Sequence, residues 1–242
     1  MVRANESLYP GTELDLFSSA ANWKRYIKEE IGPYLVGDVL EVGAGIGGTT
    51  RALHDGTARR WVCLEPDVQQ AKRIQILSKQ WHPDSTKVVA GSLPALAGRP
   101  SFDSVLYIDV LEHIEDDALE IQRAARLLRT GGHLVILAPA HQWLFSEFDK
   151  SIGHLRRYNK RQLKSLMPAG WAEKKARYLD SVGVVLSLAN ALALRQSMPT
   201  PLQVAIWDRW CVPVSRFLDR LYLGHFGKSI LAVWCKQEPD KL

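Results

Sequence analysis

The sequence predicts an α/β protein with a doubly wound, mostly parallel sheet covered by helices on both faces. Three observations carry that expectation. Short β-branched and aliphatic runs alternate with helical segments over most of the chain. The first run, Val39, Leu40 and Val42, ends in a glycine cluster formed by Gly43, Gly45, Gly47 and Gly48. The second run, 61–65, ends in an acid, Glu65. A strand, a bare turn and a helix start form a nucleotide site, because ligands lie beyond the carboxyl ends of parallel strands.

Each element follows from its own residues. Residues 14–31 read as one amphipathic helix whose apolar stripe is Leu16, Trp23, Tyr26, Ile27 and Ile31. Thr49–Leu53 continues the glycine turn as helix, and 67–81 forms the next, capped by Asp67. TKVVAG at 86–91 and FDSVLYID at 102–109 read as the third and fourth strands. Residues 115–132 form the clearest helix, with acids first, arginines last and Gly131 as its stop. The fifth strand spans 133–140 and ends at Pro139, and 229–236 reads as the last strand. After Tyr178 the alternation lapses into an apolar, aromatic insertion over 181–226.

A chain of 242 residues with 46% apolar residues fits one domain carrying this insertion. Three scattered cysteines, Cys63, Cys211 and Cys235, suit buried thiols in a reducing compartment. The polar start, MVRANESLYPGTELD, does not read as a signal peptide, and Val182–Leu194 is too short to span a bilayer. A cytoplasmic protein is expected. The net charge of +5 gathers in HLRRYNKRQLK and EKKAR, which fits either a solvated helix face with a basic loop or an anionic partner.

The glycine turn satisfies two patterns. Gly43, Gly45 and Gly48 make the GxGxxG of a dinucleotide site, which keeps a nicotinamide-dependent oxidoreductase open as an alternative. Gly43, Gly45 and Gly47 with Glu41 make E-x-G-x-G-x-G. A carboxylate at the mouth of the turn would repel a pyrophosphate and suits a cofactor carrying an ammonium and a sulfonium. Glu65, 20 residues past Gly45, is placed to hold ribose hydroxyls. No tyrosine is followed four positions later by lysine, the pairing of short-chain reductases, since Tyr158 is followed there by Gln162.

With these residues the chain resembles the class I S-adenosylmethionine-dependent methyltransferases. The likeness runs in order through VLEVGAGIGGTT, CLEPD, GSLPAL, FDSVLYIDVLEHIEDD, LLRTGGHLVILAPA and SILAVWCK. It implies a Rossmann-like sheet of seven strands whose last strand is antiparallel, and S-adenosylmethionine (SAM) as cofactor. By the same likeness Glu41, Gly43, Ala44, Gly45 and Gly47 line the methionine end. Glu65 holds the ribose, Pro66 and Asp67 flank the adenine, and Ser92 and Leu93 stand where relatives often carry an acid. Asp109 and Val110 lie near the transferable methyl. Blocks 143–163 and 207–234 resemble a bacterial subgroup associated with glycosyltransferases and cell-surface polymer genes, which points to a small-molecule, saccharide or lipid-linked acceptor methylated at oxygen or nitrogen.

Methyl transfer needs alignment, and a base only where the acceptor must lose a proton. His113 in LEHIED and His154 in GHLRRY are the base candidates, with His141 third. Asp149, His154, Arg156, Arg157 and Tyr158 crowd a loop at the ligand-binding edge of the sheet, so Asp149 and Tyr158 join the catalytic candidates. Arg156 or Arg157 could clamp an anion, or pair with Asp149 to brace the loop. Asp149, His141 and His154 lack compact ligand spacing, so no metal is expected. The chain has Asp109, Val110, Leu111 and Glu112 after the fourth strand, not the Asn/Asp, two prolines and aromatic of amine-methylating nucleic-acid enzymes, which argues against that reaction; an RNA methyltransferase, suggested by the basic cluster, stays an alternative.

In the insertion, Val204, Trp207, Cys211, Val214, Leu218 and Leu221 recur at helical spacing, with Pro213 expected to kink or split the helix. Such a stripe covers the sheet as a lid over the acceptor pocket. The alternative puts Trp207, Trp210, Phe217 and Tyr222, with Arg209, Arg216 and Arg220, at a membrane surface. The oligomeric state is not legible.

Overall fold

A computed structural model describes residues 12–96, 101–194 and 196–238. Its sheet has seven strands: β1 (Asp38–Val42), β2 (Arg60–Glu65), β3 (Thr86–Ala90), β4 (Phe102–Ile108), β5 (Leu128–Pro139), β6 (Ala172–Leu179) and β7 (Ser229–Cys235). Their order is β3-β2-β1-β4-β5-β7-β6, with β7 antiparallel to both neighbours and the other pairs parallel. This is the Rossmann-like methyltransferase sheet, with the antiparallel last strand that the resemblance implies. The strand order reverses between β1 and β4, which opens a crevice above their carboxyl ends.

Ten α-helices are described: α1 (Thr12–Ser18), α2 (Ala21–Ile31), α3 (Gly48–Leu53), α4 (Val68–Ser78), α5 (Asp117–Leu127), α6 (Glu147–Ser151), α7 (Lys160–Leu166), α8 (Ser181–Ala189), α9 (Pro201–Ile206) and α10 (Val212–Leu221). Side chains alternate across the pleat, so the sheet divides the core in two. Val39, Cys63, Leu106, Val135 and Val233 face one layer with Trp23, Tyr26 and Ile27 of α2. Leu40, Leu64, Val105, Ile136 and Trp234 face the other with Ile121 and Leu127 of α5 and Leu163 of α7. Burial on both faces explains why β1 and β2 read as continuous apolar runs.

The structure corrects four expectations. The helix over 14–31 is two helices, α1 and α2, and the chain turns between them. The helix over 115–132 stops at Leu127; Leu128 is already extended, with φ −85° and ψ 132°, and pairs with Phe102. Gly131 instead makes a left-handed turn, φ 80°, inside β5, where its N–H donates to the Lys236 carbonyl over 2.7 Å. The basic segment EKKAR is part of β6, an edge strand whose Lys175 and Arg177 pair with Glu30 of α2. Finally, the helix changes geometry ahead of Pro213, over Trp207–Cys211, rather than at the proline itself. α9, a π-helical turn over Trp207–Cys211 and α10 follow without interruption, and Pro213 sits in the first turn of α10.

Candidate active site

The glycine turn follows β1 with three left-handed residues, Gly43 (φ 68°), Gly45 (φ 57°) and Gly47 (φ 77°). A Cβ on Gly43 would stand 2.6 Å from Val110 Cγ2, so the turn can approach the loop after β4 only without a side chain. Glu65 closes β2 beside it. Its Oε2 accepts from the Gly45 N–H over 2.7 Å and its Oε1 from the Asp67 N–H over 2.9 Å. Burial raises the Glu65 pKa, and those two N–H groups pull it back. Asp67 caps α4 through the N–H groups of Gln69 and Gln70, as its position suggests. Pro66, exposed beside it, extends the rim, and Ala44 lies buried in the turn.

Glu41 sits lower than its place in the motif suggests. It is a β1 residue, 2% exposed, and its Oε2 accepts from Thr50 Oγ1 and Trp61 Nε1, each over 2.8 Å. It therefore ties α3 and β2 beneath the turn. Burial pushes its pKa up to about 7, against the pull of those two donors. Among the described residues neither Glu41 nor Glu65 makes an ion pair. Ser92 is exposed after β3, whereas the Leu93 side chain is buried in the core beside Leu40 and Leu64. Only the backbone of Leu93 can face the crevice.

Asp109 follows β4 in a left-handed conformation, φ 54°, which a non-glycine residue rarely adopts. The residue opens to solvent, yet the surrounding protein pushes its carboxyl up to about 6, against the pull of His154 and Lys228. A cluster begins three residues on. His154 Nδ1 lies 2.8 Å from Asp149 Oδ1, and His154 Nε2 lies 3.6 Å from Glu112 Oε1. The His113 ring is 4.7 Å from the His154 ring and tethered through Nδ1 to the Gly153 carbonyl over 3.2 Å. Burial and the neighbouring His154 lower the His113 pKa to about 4, so its imidazole is neutral. Glu112 is fully buried, neither of its oxygens reaches a full hydrogen-bond partner, and burial, then Asp109, raises its pKa well above the usual range.

The cluster is braced from behind. Arg157 grips Asp149 with two parallel bonds, Nε to Oδ1 and Nη2 to Oδ2, each 2.9 Å. Burial would raise Asp149, but His154 and Arg157 hold it down to about 2. Of the two roles open to Arg157, bracing the loop is the one observed, and Arg156 likewise pairs with Asp117 over 2.7 Å. Tyr158 is buried, its hydroxyl donating to the Leu111 carbonyl and to Asp117 Oδ2. It fastens two loops together and does not face the crevice. His141 stands apart from the cluster, stacked on Tyr178 with ring centroids 4.5 Å apart.

The sequence candidates thus divide. His113, His154 and Asp149 come together with Glu112, which sequence reasoning missed because an acid within LEHIED looks like a helix-start charge. Glu13 on α1 was missed as well. It is buried, both oxygens lack a full partner, and burial raises its pKa. Leu14 next to it comes so close to Gly45 that a Cβ there would lie 3.3 Å away, so α1 covers the turn. One ligand atom each from Glu112, His113 and His154 lies within 4.8 Å of the others, a group able to hold a cation although none was expected.

The residues fit SAM on these observations. A turn that tolerates no side chain, Glu65 at the tip of the neighbouring strand and acids at the crevice floor suit a ribose-bearing cation better than a pyrophosphate.

Comparison with known proteins agrees. Residues 40–136 match the family described as a methyltransferase domain. It is 30% identical over 135 residues to a demethylmenaquinone methyltransferase of Tropheryma whipplei, covering 55% of each chain. It is 28% identical over 115 residues to a ubiquinone biosynthesis O-methyltransferase of Alkalilimnicola ehrlichii, covering 46% of this chain and 44% of that one. The matches thus span about half the length of these relatives. A solved geranyl diphosphate methyltransferase in complex with SAM superposes with a TM-score of 0.63 at 12% identity, over 96% of this chain and 93% of that one.

Proposed function

We propose that this chain transfers the methyl group of SAM to a hydroxyl of a small-molecule, saccharide or lipid-linked acceptor. The observation that carries the choice of oxygen is the Asp149–His154 pair, 2.8 Å apart, behind the crevice that Asp109 opens. An amine that arrives neutral needs no base, whereas a hydroxyl must shed its proton during transfer. SAM, when bound, supplies a methyl already activated on a sulfonium.

The chain does the rest. The glycine turn and Glu65 hold the nucleoside, and α1 closes over Gly45 and keeps water out. Asp149 is fixed by Arg157, so it orients His154 without moving, and the Nδ1 bond directs Nε2 toward Glu112 and the crevice. His154 receives the acceptor's proton at Nε2. Asp149 then stabilises the imidazolium across the same bond. The name of one relative, a ubiquinone biosynthesis O-methyltransferase, supports transfer to oxygen.

The test is incubation of the full chain with isotopically labelled SAM and cell extract, followed by mass spectrometry. Label in the methoxy group of a small molecule, sugar or lipid is expected. Label confined to amines or to RNA, or no label with SAM bound, would overturn the reading.

A further inference from the structure

The insertion leaves one apolar helix face in solvent. Along the continuous helix from Pro201 to Leu221, Leu202, Ile206, Trp210, Val214, Phe217 and Leu221 recur every three or four residues and face solvent. Trp210 is 64% exposed and Phe217 68%. The opposite face, packed on the protein, carries Asp208, Ser215 and Asp219 beside Val204, Trp207 and Val212. Asp208 accepts from the N–H groups of Asn22 and Trp23, and Asp219 from Tyr26 Oη and the Asp180 and Ser181 N–H groups. The stripe read from the sequence is thus divided: Val204 and Trp207 are buried, Cys211 and Leu218 half-buried, and Val214 and Leu221 exposed.

Charge follows the same inversion. Both acids of the 181–226 segment point inward, while Arg209 and Arg220 face outward with the apolar stripe and Arg216 is half-buried beside it. Arg25 of α2 joins them, lining a groove with Arg216, Phe217 and Arg220. Glu29 is the acid in contact, 2.7 Å from Arg216 and 3.7 Å from Arg220. A stripe about 30 Å long with two large aromatics and a cationic fringe has the make-up of a helix lying in a lipid interface. No helix among the described residues is long and apolar enough to cross a membrane.

We propose that the α9–α10 face docks on the surface of an anionic lipid bilayer, with Trp210 and Phe217 inserted among acyl chains and the arginines at headgroup level. The charge fringe decides the occupant, because an apolar protein partner or a second copy needs no such ring of arginines. The opposite, inward face of the same helix packs against α1, which covers the glycine turn. Phe17 of α1 stacks edge-on against Trp207 with centroids 5.9 Å apart, and Ser151 Oγ donates to the Ser197 carbonyl. A lipophilic acceptor would therefore pass from bilayer to crevice along α1. That last step rests on the proposed methyl transfer; the docking itself does not.

Flotation of the full chain on phosphatidylcholine vesicles, with and without phosphatidylglycerol, tests the docking. Binding to the anionic vesicles alone is expected, weakened when salt rises from about 0.1 M to about 0.5 M. The exposed double variant Trp210→Ser/Phe217→Ser should bind at least about fivefold less. Its S-adenosylhomocysteine affinity and circular dichroism should match the parent, separating lost docking from lost folding. No flotation, flotation unaffected by the double variant, or a dimer in sedimentation that the variant dissolves without any vesicle binding would overturn the proposal.

Discussion

Replacing Glu41 by Gln isolates the charge buried under the glycine turn. In the fold Glu41 keeps its proton up to about pH 7, because burial outweighs the bonds from Thr50 and Trp61. An unfolded glutamate loses it near about pH 4.3. Between those values the folded chain binds more protons than the unfolded one, so this carboxyl makes stability fall as pH rises through the window. Two to three factors of ten in proton affinity, at about 1.4 kcal/mol each, give about 3 kcal/mol. Glutamine keeps an acceptor for both donors and carries no charge. Glu41→Gln should match the parent within about 1 kcal/mol at about pH 4.5 and exceed it by about 2–3 kcal/mol at about pH 8. Urea denaturation of both proteins at the two pH values measures this, and every other titration cancels in the difference. A stability difference that is the same at both pH values would refute the reasoning. A cationic cofactor should also favour the ionised form, so SAM binding near pH 7 should release up to about half a proton, seen by calorimetry in two buffers.

Other consequences are equally direct. Gly43→Ala forces a Cβ to 2.6 Å from Val110 at a φ of 68° and should cost about 1–3 kcal/mol in denaturant melts while weakening SAM binding. Asp149 is held at about 2 in the fold, so its stabilising pairs with Arg157 and His154 are fully present above its unfolded pKa near about 4 and lost as pH falls from there through about 2. Acid titration of Asp149→Asn should lack that step, and the variant should already be about 3–5 kcal/mol less stable at neutral pH, because Arg157 stays buried and half-paired. Tyr158→Phe removes the bonds to the Leu111 carbonyl and Asp117; it should lower stability by about 1–2 kcal/mol and leave the pH dependence of methyl transfer unchanged, as a brace would and a base would not.

Much of the fold was legible because the central strands are buried on both faces, which writes them as apolar runs ended by Gly43 and Glu65. β6 was not. An edge strand packs against one neighbour only, so Glu173, Lys174 and Lys175 could stay charged, and the segment looked like a solvated face. The end of α5 was misplaced because Gly131 is a stop signal in isolation; the carbonyl of Lys236, more than a hundred residues away, is what its N–H meets.

The site shows the same division. The turn and Glu65 are local and could be read from spacing. The cluster is not local: Glu112 and His113 meet Asp149 and His154 only because β4 and β5 end side by side. Nor could spacing show which side of the 201–221 helix faces inward. Helical periodicity marks two faces, and here the polar partners of Asp208 and Asp219 on α2 and after β6 choose the inner one.

Calorimetric titration of S-adenosylhomocysteine and of NADH into the parent chain and into Glu65→Ala tests the cofactor assignment most directly. S-adenosylhomocysteine is expected to bind the parent, to bind Glu65→Ala about 10–100-fold more weakly through loss of charged ribose hydrogen bonds, and NADH to bind neither. NADH binding that Glu65→Ala abolishes, with S-adenosylhomocysteine silent on both proteins, would contradict it.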